Sequence, residues 1–132
     1  MPSAALVNQS TRTASWTGRV LSTVAVAFMA FDGVIHVLEP APVVQAFARL
    51  GFPLSASVGI GILELVFTAL YAIPRTAALG AVLLSAYLGG AVATQLRAGS
   101  GWFEMIFPVI VGAIVWGGLA LRDARVRAFI RA

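Results

Sequence analysis

Cysteine and lysine are both missing from this chain. Without a thiol there are no disulfides, no thiolate nucleophile, no iron–sulfur cluster and no thiolate-bound metal. Histidine occurs once, which excludes a multi-histidine metal site within one chain, and no metal site is expected from the spacing of the ligand-type residues. Charge of either sign is scarce. Only 11% of the 132 residues are charged, where a soluble domain has about a quarter, while 60% are hydrophobic and the mean hydropathy is +0.95. Lipid is the main solvent of such a chain. Also missing are a glycine-rich phosphate loop, a nucleophile elbow and paired metal-ligand spacings, so no self-contained catalytic motif is present.

The positive charge that remains is all arginine, and it sits at the ends of apolar runs. Nucleic-acid binding needs a basic patch interleaved with aromatics, so no nucleic-acid partner is expected. A bilayer explains the pattern better. Four apolar segments, at about residues 19–38, 55–73, 76–96 and 102–121, are each long enough to cross the ~30 Å hydrocarbon layer at 1.5 Å per residue. The expected fold is therefore all-α, an integral membrane four-helix bundle forming one domain over residues 16–132. Residues 1–15, polar and without an apolar centre, are expected to be a disordered tail and not a signal peptide.

Pro40 and Pro42 stop the first segment. Before Pro53, the residues Val43, Val44, Phe47 and Leu50 recur at helical spacing, giving a short amphipathic helix that lies at the membrane surface and lids the bundle. Ala86, Gly90 and Thr94 on the third segment, and Ala113 and Gly117 on the fourth, follow the small-xxx-small spacing of close helix contacts. Self-association through such glycine faces is the expected route to a homo-oligomer. Arg12, Arg19, Arg75, Arg122, Arg125, Arg127 and Arg131 fall on the side of both termini, against only Arg49 and Arg97 on the other, which predicts cytoplasmic termini.

Ionisable groups inside the segments are the anomaly. An ionised Asp at the centre of a membrane helix costs roughly 2.5–3.5 kcal/mol on insertion scales, so it is normally turned inward, paired, protonated or used. Asp32, His36 and Glu39 share one face of the first segment by their spacing. Ser57, Gly61, Glu64, Thr68 and Tyr71 share a face of the second, and Tyr87, Ala91, Thr94 and Gln95 lie close to one face of the third. Turned inward, these faces enclose a polar cavity that opens away from the cytoplasm and ends near Glu64. Asp32, His36, Glu64, Tyr87, Gln95 and Arg97 are its candidate ligand-binding residues, and no catalytic residue is assigned. Two plainer readings stay open: an Asp32–His36 pair that only fixes helix packing, and a Glu64 hydrogen bond between helices.

The strings G-I-L-E-L (Gly61 to Leu65), I-P-R-T (Ile73 to Thr76), L-G-A-V-L-L-S-A-Y-L-G-G-A-V-A-T-Q-L-R (Leu79 to Arg97) and V-W-G-G-L-A-L-R-D (Val115 to Asp123) resemble the DoxX-like family of small four-helix membrane proteins. The likeness runs from about Trp16 to Ile130. It implies a bundle in the bacterial inner membrane. The wider DoxX group includes a subunit of thiosulfate:quinone oxidoreductase and components of membrane oxidoreductase complexes, and distant relatives are cargo receptors or assembly chaperones. His36 stands where relatives often carry Lys in G-x-x-K, and Gln95 where many read A-T-H; Glu64 matches the family string. The resemblance and the polar faces together lead to the expectation of a small lipophile, such as a quinone, bound by an accessory subunit whose electrons come from a soluble or membrane oxidoreductase partner. Glu64, Asp32, His36 and Tyr87 could supply the proton donors and acceptors that quinone carbonyls need. The alternative is a non-catalytic scaffold or chaperone that binds lipid or a client membrane helix.

Overall fold

A computed structural model describes residues 3–132. Six α-helices follow in order: α1 (Ala4–Leu38), α2 (Ala41–Leu50), α3 (Ser57–Ala72), α4 (Ala77–Arg97), α5 (Trp102–Arg122) and α6 (Ala124–Arg131), with one 3₁₀ turn at Leu54–Ala56. Four helical stretches are long and apolar enough to cross a membrane: α1, the 3₁₀ turn with α3, α4 and α5. The protein is a multi-pass membrane protein, all-helical among the described residues, and α2 is the short helix expected between the first two spans.

Residues 4–15, expected to be a loose tail, are helical and continuous with the first span. No glycine or proline interrupts the chain between Ser3 and Gly18. The polar side chains are also accommodated locally, since the hydroxyls of Thr11, Thr13 and Thr17 donate to carbonyl oxygens four residues back at 2.8–3.0 Å. At the other end α1 stops where Glu39 takes a left-handed conformation (φ 52°) directly before Pro40.

In the bundle α1 packs against α3 and α5, and α4 packs against the same two helices. The pairs α1/α4 and α3/α5 are therefore the diagonals. Close approach is set by glycines other than those expected. A Cβ on Gly61 would stand 2.6 Å from the Gly33 carbonyl oxygen, locking α1 to α3. One on Gly118 would stand 2.7 Å from Ser22 Oγ, locking α1 to α5, and one on Gly80 would collide with the backbone of Tyr71, locking α3 to α4. The expected contact residues Gly90 and Gly117 have nothing within 4 Å of an added Cβ, and Ala86 and Ala113 are exposed. Their spacing is correct for a small-residue seam, but the rotation of each helix turns that seam away from its neighbours.

Near the chain termini, a buried Tyr71 ties three helices together. Its hydroxyl donates to the Val115 carbonyl at 2.7 Å and meets Ser22 Oγ at 3.0 Å, while Arg122 lies over the ring and donates to the Tyr71 carbonyl oxygen at 3.1 Å. Just beyond, Asp123 caps α6 by accepting the Arg125 N–H at 2.9 Å. Burial pushes the Asp123 carboxyl up, but hydrogen bonds from the Arg125 backbone and side chain, the Arg125 charge and the Val126 N–H together outweigh it and hold the carboxyl below its ordinary range.

Gly80→Val should lower stability by about 1–3 kcal/mol through overpacking against Tyr71, whereas Gly89→Val on the same helix, with open space around it, should leave stability unchanged. Denaturation of the two purified variants in detergent checks this; equal losses would show that the α3/α4 contact is not limited by close packing.

Candidate functional site

Helical periodicity places the polar groups of the site. On α3 the buried residues are Ser57, Gly61, Glu64, Thr68 and Tyr71, three and four residues apart, so one stripe of this helix faces the interior along its whole length. Glu64 lies midway and is fully buried. The Gly33–Gly61 contact brings α1 close enough for Asp32 and His36 to reach it, and α4 brings Tyr87 from the other side.

The Tyr87 hydroxyl donates to Glu64 Oε2 at 2.8 Å. His36 Nδ1 donates to the Asp32 carbonyl oxygen at 2.7 Å and lies 3.6 Å from Asp32 Oδ2 and 3.7 Å from Glu64 Oε2. Ser57 Oγ donates to the His36 carbonyl at 2.7 Å, tying the start of α3 to the end of α1. The other carboxylate oxygen, Glu64 Oε1, is buried without a hydrogen-bond partner. An unmet buried acceptor of this kind costs roughly 1–3 kcal/mol, so its persistence calls for an explanation.

These groups form the floor of a recess of about 370 Å³. Phe28 and Met29 of α1, with Phe107, Pro108 and Val111 of α5, make its apolar wall, and Val43 and Phe47 of α2 cover it. A second lobe of about 330 Å³ continues between α3 and α4, lined by Ile60, Ala86, Gly90 and Thr94, with His36, Tyr87 and Gln95 shared between the two. The volumes are those of pockets that take small organic ligands. Apolar walls with a few convergent polar groups at one end are suited to a molecule with a greasy body and a polar head.

Asp32, His36, Glu64, Tyr87 and Gln95 all line the recess. Arg97 does not: it is exposed, and its guanidinium lies beside Gly51 at the end of α2. Gln95 is partly engaged, since its Oε1 accepts from Ser100 Oγ at 2.6 Å. Expected on the lid, Val44 points away, while Val43 and Phe47 are buried. Sequence reasoning missed the wall residues Phe28 and Met29, although their positions four and three residues before Asp32 put them on its face of α1. It also missed that one donor atom from each of Asp32, His36 and Glu64 lies within 4.8 Å of the others. Histidine on α1 and a carboxylate on α3 leave no spacing signal for such a grouping.

A model of the DoxX-like family matches residues 20–118, more than half of the chain and all of the residues that line the recess. No curated protein and no solved structure matches the chain. The chain belongs to the DoxX-like family.

Tyr87→Phe removes the Tyr87 hydrogen bond to Glu64 Oε2 and should destabilise the protein by about 1–3 kcal/mol. Gln95→Ala, at the rim of the recess, should stay within ~0.5 kcal/mol. Thermal denaturation in detergent compares them; a Tyr87→Phe protein as stable as the parent would mean that Glu64 Oε2 has another partner.

Proposed function

We propose that this DoxX-like membrane protein binds a small lipophile with a polar head, a quinone or a molecule of similar chemistry, in the recess beneath α2. The observation that carries the reading is the Glu64–Tyr87 hydrogen bond at the floor of a recess whose walls are apolar and whose other polar lining is Asp32, His36 and Gln95. A carbonyl or hydroxyl of the head would exchange hydrogen bonds with Tyr87, His36 and the free Glu64 Oε1, while ring and tail displace water from apolar walls.

Electrons for a quinone would come from outside the chain, because no cysteine is present to hold an iron–sulfur centre or a redox disulfide. This makes the protein an accessory subunit of a membrane oxidoreductase. The arginine excess on the side of the termini, together with the family, supports a bacterial inner membrane location with both termini cytoplasmic, so the recess would open on the far side.

Organic extraction of the protein purified from its membrane, followed by mass analysis, should yield one lipophile in near-stoichiometric amount. Glu64→Gln should lower its retention at least tenfold while circular dichroism stays helical. A parent protein that carries only bulk phospholipid would overturn the reading and favour the scaffold alternative. Undiminished retention in Glu64→Gln would remove its central residue.

A further inference from the structure

The convergence of Asp32, His36 and Glu64 has a second chemical consequence, independent of any lipophile. We infer that these three side chains form a binding site for one divalent transition-metal cation at the floor of the recess. Their donor atoms, one from each residue, lie within 4.8 Å of one another and come from two helices held together at Gly33 and Gly61. The His36 Nδ1 distances of 3.6 and 3.7 Å to the two carboxylates approach the ~3–3.5 Å donor separation of a metal shell with bonds of about 2.1 Å. His36 Nδ1 gives its N–H to the Asp32 carbonyl oxygen at 2.7 Å, so metal binding exchanges that proton and hydrogen bond for the cation.

Two further observations point to a ligand and not merely to an acidic cluster. Glu64 is fully buried, yet its Oε1 has no hydrogen-bond partner, while Tyr87 holds Oε2. One oxygen is fixed by a neighbouring side chain and the other is left free, which is how supporting hydrogen bonds orient a metal-binding carboxylate. The recess also lacks a fixed cation of the chain's own. No arginine lines the recess and the chain has no lysine, so two carboxylates face one imidazole in a low-dielectric interior. One divalent cation neutralises both carboxylates with the imidazole neutral.

The donor set selects the class of ion. Two carboxylate oxygens and one imidazole nitrogen, with no sulfur, suit manganese, iron, cobalt or zinc; calcium and magnesium prefer oxygen alone, and copper(I) prefers sulfur. Three protein donors also leave coordination positions open toward the recess.

Cobalt(II) is the probe. The full-length protein in detergent, extracted free of small molecules and treated with a chelator, should take up one cobalt ion with visible d–d bands, displaced by zinc. Asp32→Asn and His36→Gln should each weaken cobalt binding at least tenfold without loss of helical content. An unaltered, featureless spectrum on cobalt addition, or binding that both variants retain in full, would overturn the inference and leave protons as the neutralising species. Because extracted protein is used, a failed cobalt titration leaves the lipophile reading intact, and a missing lipophile does not affect the titration.

Discussion

The structure is arranged around one costly placement: the side chain of Glu64, fully buried at the middle of a lipid-immersed helix. In hydrocarbon this carboxyl has no water to satisfy it, so the surrounding helices must supply its partners. Tyr87 comes from α4, and Asp32 and His36 come from α1. The glycine contact at Gly33 and Gly61 lets α1 approach α3 closely enough for this to happen. Packing and polar chemistry are thus one constraint: a bulkier residue at either glycine would separate the helices that the carboxyl needs together.

The two ends of the bundle gather their buried polar groups around different residues. Near the termini, Tyr71 makes contacts with Ser22, Val115 and Arg122 in a densely packed interior. That arrangement holds three helices in register and leaves the Tyr71 hydroxyl fully occupied. Each end keeps one buried polar atom without a partner, Arg122 Nε beside Tyr71 and Glu64 Oε1 at the opposite end, where the groups around Glu64 border the recess. The first cluster has the character of a fastening and the second that of a site.

Around that site, α2 and α5 supply what the polar groups lack. Pro108 lies inside α5 on the recess wall, where it removes one backbone hydrogen bond and the ring itself adds apolar surface. Val43 and Phe47 close the top, with Phe47 edge-on to the His36 ring at 5.7 Å. The lid therefore touches the chain's single imidazole, so lid, imidazole and recess occupy one neighbourhood. His36 and Gln95 both lie on its boundary, lining the recess and its second lobe alike.

Much of this was readable before any coordinates. The shortage of charge and the lengths of four apolar runs determined immersion in lipid, and the 3.6-residue period determined that Ser57, Gly61, Glu64, Thr68 and Tyr71 face one way. These are properties of single helices, and a sequence encodes them locally. What only the tertiary structure decided concerns pairs of helices: that Gly18, Gly33, Gly61, Gly80 and Gly118 make the close contacts instead of Gly90 and Gly117, and that Arg97 stays out of the recess. It also decided that three ligand-type residues on two helices converge. Such outcomes depend on how far each helix is rotated and shifted against its neighbours, and that is set by the summed packing of the whole bundle, which no single segment's periodicity contains.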